Sequence, residues 1–359
     1  MSVNVLIIGV GLIGGSLGLA LKESPLVARV IGVDEDHTID QALAMGAIDG
    51  GGHLETAAAT ADVIFLCTPI STFGGIIDQV KTRIKPGAII SDVGSTKQEV
   101  MRVFSQLPDA VYKIGGHPMA GSEIRGVVGA DRYLFENAAY ILTPAPGTPD
   151  DILAFMNELL ACTGARIKRL TAERHDELVA AISHIPHLTA AALVNMTRGD
   201  EEHLMMAAGG FRDTTRIASS NPELWDNIIF SNQEIIVDKL DLLIENLIKL
   251  REAIKAGDRE KVLQELSSAK DTRDRIPQVH RGIMPDFSDI VCIVPDKPGI
   301  IARLGAILHE KDINIVDIEI LRVREGDGGT IRLGVPSLTD AAEAVAELQA
   351  NGIKAWIRS

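Results

Sequence analysis

The first half of the chain alternates short, continuously apolar runs with stretches of helical length. Val3–Ile8 (Val-Asn-Val-Leu-Ile-Ile) predicts a buried strand, and further strands are predicted at 29–33, 62–67 and 87–91. Runs at 138–142 and 165–167 predict two more. Strands apolar on both faces, alternating with helices, predict a parallel sheet covered on both sides. From about Thr171 to Arg275 the period is almost wholly helical. One long stretch, 173–195, is interrupted at Pro186, and another opens at Asn221-Pro222-Glu223, a helix-start pattern. The run 235–248 carries an apolar stripe wide enough to pack on a second protein surface. After a linker-like segment at 277–286, the pattern reads strand 289–294, helix 299–311, strand 315–323, strand 330–334, helix 339–350 and strand 353–357. That is βαββαβ, the ferredoxin-like order. The expected organisation is a Rossmann-type α/β dinucleotide domain (1–170), an all-α dimerisation and substrate domain (171–280) and a βαββαβ domain (288–359).

Composition narrows the function. At 359 residues, 46% hydrophobic and 23% charged, the chain reads as globular rather than disordered. A net charge of −14 argues against nucleic acid as a partner, because a phosphate backbone demands a basic surface. Cys67, Cys162 and Cys292 are odd in number and far apart, so neither disulfides nor a zinc cluster is expected, and a reducing cytoplasm fits. The apolar stretch Val5–Leu21 has no Lys or Arg ahead of it and contains five glycines. It is read as a strand and turn rather than a signal peptide or membrane span.

Gly9-Val10-Gly11-Leu12-Ile13-Gly14 is a G-x-G-x-x-G between a predicted strand and a predicted helix. In that setting the first glycine permits the tight turn, the second lets the backbone approach a pyrophosphate, and the third brings helix against strand. Leu12 and Ile13 begin the helix whose N-terminus faces the phosphates. Asp34 ends the second predicted strand. Its carboxylate suits a ribose 2′-hydroxyl and repels a 2′-phosphate, which favours NAD over NADP. Thr68 and Pro69, after the strand at 62–67, are placed at the same nucleotide.

Four further segments carry polar chemistry at expected strand ends or on the helical domain: Ser91-Asp92-Val93-Gly94-Ser95-Thr96-Lys97; Gly115-Gly116-His117-Pro118-Met119-Ala120-Gly121-Ser122-Glu123, read as a strand-end loop; Ser183-His184-Ile185-Pro186-His187; and Asp213-Thr214-Thr215-Arg216, with Trp225 nine residues on. On these segments, and on the glycine turn, residues 1–280 closely resemble the prephenate dehydrogenase family. Separately, Val294-Pro295-Asp296-Lys297-Pro298-Gly299-Ile300 followed by Asp312-Ile313-Asn314-Ile315 resembles an ACT domain.

The resemblance implies NAD-dependent oxidative decarboxylation of prephenate to 4-hydroxyphenylpyruvate, in tyrosine biosynthesis. It implies His117 as acceptor of the substrate hydroxyl's hydrogen, Ser95 beside that histidine and the nicotinamide, and His184 lining the pocket. Arg216 matches the family's carboxylate-binding arginine, with Asp213 orienting it. Ser122 and Glu123 line or gate the site, and Trp225 stacks near the substrate ring or packs in the core. An ACT domain implies an amino-acid effector, here tyrosine, seated on Asp296, Pro298, Gly299, Ile300 and Asn314. A homodimer without metal is expected. His37, His53, His175, His203, His280 and His309 read as surface or packing residues.

Alternatives remain. An arogenate or dual-specificity cyclohexadienyl dehydrogenase would use the same motifs. A hydroxyacid dehydrogenase with an ACT domain is disfavoured by the GGHPMAGSE and DTTR segments. A non-catalytic amino-acid sensor is disfavoured by intact His117, Ser95 and Arg216, and a transcriptional regulator by the acidic charge.

Overall fold

The computed structural model describes residues 2–121, 124–276, 288–295, 297–324 and 328–357. In chain order the elements begin β1 (Val3–Ile8), α1 (Leu12–Leu21), β2 (Val27–Val33), α2 (Asp36–Ala44), β3 (Gly50–Gly51), α3 (Leu54–Thr60), β4 (Val63–Leu66), α4 (Phe73–Val80), β5 (Ile89–Asp92) and α5 (Gln98–Phe104). There follow β6 (Tyr112–Pro118), β7 (Ala139–Pro144), α6 (Asp150–Ala161) and β8 (Arg166–Arg169). These strands form one sheet in the order β3-β2-β1-β4-β5-β6-β7-β8. Every neighbouring pair is parallel except β6–β7, which is antiparallel.

Strand periodicity divides the core in two. Val5 and Ile7 of β1 and Val63 and Phe65 of β4 pack on one face against Leu17 and Leu21 of α1. Leu6, Ile8, Ile64 and Leu66 point the other way, onto Phe73 and Ile77 of α4 and Phe104 of α5. Both faces are covered, which is why these strands are apolar throughout.

The helical part follows: α7 (Ala172–Val179), a π turn (Ala180–His184), α8 (Ile185–Met196), α9 (Glu201–Met206), α10 (Gly209–Thr215), a 3₁₀ turn (Arg216–Ser219), α11 (Pro222–Ser231), α12 (Gln233–Ala256) and α13 (Arg259–Asp274). The interruption expected at Pro186 takes the form of the π turn, with Pro186 in the first turn of α8, where its missing N–H costs nothing. Asn221 caps α11 through the Glu223 amide, with Pro222 at its first position. The run Ala172–Met196 is long and apolar enough to cross a membrane by length and composition alone. Near its start, His175 and Asp176 are buried and bond to residues of the dinucleotide part. On α12, Leu242, Ile244, Leu247 and Ile248 are exposed, each by 43% or more.

Residues 1–277 form one compact unit and 278–359 a second. The second comprises β9 (Ser288–Val294), α14 (Ile300–His309), β10 (Asp317–Arg324), β11 (Gly328–Val335), α15 (Leu338–Ala350) and β12 (Lys354–Ile357), with the antiparallel sheet order β10-β11-β9-β12. Ile290, Cys292, Leu333 and Val335 pack on Leu304, Leu308 and Leu348 of its helices. Residues 277–287, which include His280, lie outside the described residues.

Candidate active site

The turn after β1 has the geometry its glycines require. Gly9 has φ +94°, and a Cβ there would collide with Cys67 and Thr68 after β4. A Cβ on Gly14 would overlap the Gly9 carbonyl oxygen, whereas one on Gly11 would meet nothing. The side of the turn left open is thus the one at which a phosphate group would approach, ahead of the uncapped N-terminus of α1. A Gly14→Ala variant should lose about 1–3 kcal/mol of stability through overpacking. It should also bind NAD at least about tenfold more weakly. Calorimetry measures both; unchanged affinity would contradict the reading of the turn.

Asp34 is exposed at the end of β2, and its carboxylate accepts from the Val10 amide (2.6 Å) and the Glu35 amide (2.8 Å). It therefore braces the glycine turn and does not cap α2, whose N-cap is Glu35. Thr68 hydrogen-bonds Thr72 (2.7 Å) beside the turn. Because β1, β4, β5 and β6 run parallel, Gly9, Thr68, Ser95 and His117 all lie toward one edge of the sheet. This is the carboxyl edge, with the β1–β4 switch point among them.

His117 lies within β6, not in a loop after it. The two glycines before it explain this close-packed position. A Cβ on Gly115 would strike Thr143 of β7, and one on Gly116 the Asp92 carbonyl of β5. Antiparallel pairing with β7 carries the strand as far as Pro118.

The His117 imidazole is partly buried among other titratable side chains. Its Nδ1 lies 2.8 Å from His175 Nε2, and the rings meet edge to face at 5.0 Å. His175 Nδ1 in turn lies 2.7 Å from Asp176 Oδ1. Asp176 also accepts from the Lys97 and Gln98 amides at the start of α5, both at 2.7 Å. Burial, then the neighbouring His175, Lys97 and His184, hold His117 well below the ordinary histidine pKa, so its ring is neutral near pH 7. His117 Nε2 has no partner among the described residues. His175 is 1% exposed and so is not a surface residue. His37, His53, His203 and His309 are exposed, as expected.

Beneath these groups sits a fully buried ion pair. Lys97 Nζ bonds the Asp92 carboxylate and, at 2.6 Å, the Gly116 carbonyl. Asp92 further accepts from the Gly94 (2.7 Å) and Gly116 (2.8 Å) amides. Burial pushes Asp92 up and Lys97 down, and their mutual attraction opposes both shifts. The pair ties β5 to β6 directly under His117. Ser95 is partly buried and makes no hydrogen bond among the described residues; α5 begins at Gln98, so Ser95 does not cap it.

In the helical part, His187 and Trp225 are stacked (3.6 Å between centroids, planes 6° apart), and His184 meets Trp225 edge to face at 6.0 Å. Asn232 bridges the Asp176 carbonyl (3.0 Å) and His184 Nδ1 (3.4 Å). Burial lowers the His184 pKa to about 4, leaving it neutral near pH 7. Trp225 thus packs on two histidines rather than in the apolar core. Arg216 and Asp213 are both exposed and do not pair, which corrects the expectation that one orients the other. Arg216 has no ion-pair partner among the described residues. Ser122 and Glu123 lie outside the described residues.

In the second unit, a cavity of about 540 Å³ is lined by Lys297, Pro298, Gly299, Ile300, Ile320 and Ile331, among others. Gly299 has φ +86° at the start of α14. Asn314 is exposed and not among the lining residues, and Asp296 lies outside the described residues.

A glycine turn shaped for a pyrophosphate, an acidic residue beside it and a neutral imidazole on the same sheet edge define a dinucleotide-dependent oxidoreductase. A family model described as prephenate dehydrogenase, nucleotide-binding domain, matches residues 17–169; the corresponding dimerization domain matches 171–268, and an ACT domain model matches 288–352. The prephenate dehydrogenase of Bacillus subtilis (strain 168) is 38% identical over 352 residues, covering 96% of this chain and 95% of that one. Synechocystis arogenate dehydrogenase is 33% identical in sequence, with a TM-score of 0.69 over 76% of this chain and 100% of its own. Aquifex aeolicus prephenate dehydrogenase, in complex with hydroxyphenyl propionate and NAD+, is 30% identical, with a TM-score of 0.68 over 77% of this chain and 99% of its own. The chain belongs to the prephenate dehydrogenase family.

Proposed function

We propose that this protein oxidatively decarboxylates prephenate to 4-hydroxyphenylpyruvate and CO2, with NAD as cofactor. The observation that carries the reading is the neutral, partly buried imidazole of His117, its Nε2 unpartnered among the described residues, on the sheet edge that carries the glycine turn. Bound NAD+ supplies the hydride acceptor, held by Gly9, Gly11, Leu12, Ile13, Gly14, Asp34, Thr68 and Pro69. As hydride leaves the hydroxyl-bearing ring carbon, positive charge builds there. His117 relieves it by accepting the hydroxyl proton. Aromatisation of the ring then drives loss of the ring carboxylate as CO2, and the proton returns from His117 to the phenolate oxygen.

Arg216, exposed and uncommitted to any carboxylate among the described residues, clamps a substrate carboxylate. His184 and Trp225 form the wall against the ring, with Ser95, Ser122, Glu123 and Asp213 as further pocket residues. The exposed apolar stripe of α12 pairs two copies of the chain. Tyrosine, as feedback effector, occupies the cavity over Pro298, Gly299 and Ile300, with Asp296 and Asn314 nearby in sequence. Three free cysteines suit a cytoplasmic setting.

Arogenate is the second candidate substrate, favoured by the 33% identity to an arogenate dehydrogenase. It differs from prephenate only in an amino group where prephenate has a keto group. Reduced-nicotinamide formation should be fastest with prephenate and NAD among the four pairings of prephenate or arogenate with NAD or NADP. Turnover of arogenate alone would move the specificity and keep the chemistry. Arg216→Ala should raise KM for prephenate at least about tenfold, the loss of one charge-assisted clamp. An unchanged KM would remove Arg216 from the site.

A further inference from the structure

We propose that His175 and Asp176 are positioning residues that fix the tautomer of His117, leaving His117 Nε2 as the unprotonated nitrogen that faces substrate. The inference rests on the assignment of His117 as proton acceptor and follows from a chain of three contacts. Asp176 takes two hydrogen bonds from backbone amides, Lys97 and Gln98, at the N-terminus of α5. Amides only donate, so the carboxylate is held as an acceptor, and His175 must present Nδ1–H to it across 2.7 Å. A neutral His175 then has a bare Nε2, which can only accept. Across 2.8 Å, His117 must therefore place its own hydrogen on Nδ1. The lone pair of His117 falls on Nε2, the nitrogen without a partner among the described residues.

The same chain serves the charged state. When His117 takes the substrate proton on Nε2, its Nδ1–H still points at His175, and Asp176 stands two bonds away as a fixed counter-charge. The logic is that of a carboxylate orienting a catalytic imidazole, with a second imidazole interposed. The groups facing His117 are His175 from α7, His184 from the π turn and Lys97 ahead of α5, and all three oppose its protonation. The Asp176 carboxylate, reached through the His175 ring, is the compensating charge in this chain of contacts. Asn232, bonded to the Asp176 carbonyl, and the amides of α5 keep the pair in place.

Nitrogen–proton correlation spectra of the full chain, labelled at histidine nitrogens, test the inference without substrate. They therefore remain decisive if the prephenate assignment fails. The expected result is His117 as the Nδ1–H tautomer in the wild type and a loss of that preference in His175→Leu. An Nε2–H tautomer in the wild type would overturn the proposal. Kinetics supply the second reading. His175→Leu should lower kcat for prephenate by about 10–10²-fold with KM within about twofold, and should displace the acid limb of the pH profile. His175→Gln, whose amide oxygen can still accept from His117 Nδ1–H, should recover most of the loss. Equal losses in the Leu and Gln variants, or an unimpaired Leu variant, would contradict it.

Discussion

Replacing His117 by Asn should lower kcat for prephenate by about 10²–10⁴-fold, the usual contribution of a positioned acid–base group. NAD affinity should stay near the wild-type value. The side chain of Asn is smaller than imidazole and keeps a polar contact toward His175, but it cannot take up a proton. The glycine turn and Asp34, which brace the nucleotide end of the site, do not touch it. The pH profile of the wild type follows from the same burial. His117 is held well below the ordinary histidine value, so kcat/KM should persist at neutral pH and fall only as acidity takes the medium below about 6.5. A variant that kept activity within threefold, or an acid limb above that range, would remove His117 from the chemistry.

Lys97→Met should cost about 3–5 kcal/mol, the usual penalty for breaking a buried ion pair from one side. The variant leaves Asp92 with two amide donors but no cation, at zero exposure, between β5 and β6. Pairing it with Asp92→Asn should restore part of the loss, since no buried charge then remains unmatched. Urea unfolding of Lys97→Met and of the double variant measures this. A loss under about 1 kcal/mol in Lys97→Met would show that the pair adds little to the fold. Because Lys97 also holds the Gly116 carbonyl next to His117, the single variant should lose activity along with stability.

The parts of the site that were legible in the sequence are those whose reasons are local. The glycine turn is six consecutive residues, in which Gly9 and Gly14 answer contacts within the β1–β4 switch point and Gly11 leaves the backbone open to approach. His117 stood out through its motif, although its neighbouring glycines suggested a loop. They serve instead to let β5 and β7 close on β6, a contact visible only once both partners are known. His175 sits in the polar run Glu173-Arg174-His175-Asp176-Glu177, which by itself suggests a surface or packing residue. Its partner His117 lies 58 positions away and the Asp176–Lys97 contact spans 79. One signal was available: His175 and Asp176 share the buried stripe of α7 with Val179. Polar residues on an apolar stripe demand partners. The fold was more legible than the site because alternation and helical period report burial directly. The antiparallel β6–β7 pair escaped because period cannot give strand direction.

The central claim is that a single turnover joins hydride transfer to loss of CO2. The most direct measurement incubates the full chain with prephenate and NAD and quantifies NADH and 4-hydroxyphenylpyruvate together. Equal amounts of the two are expected, both formed at least about 10²-fold more slowly in His117→Asn. A folded protein that binds NAD yet forms neither product would contradict it.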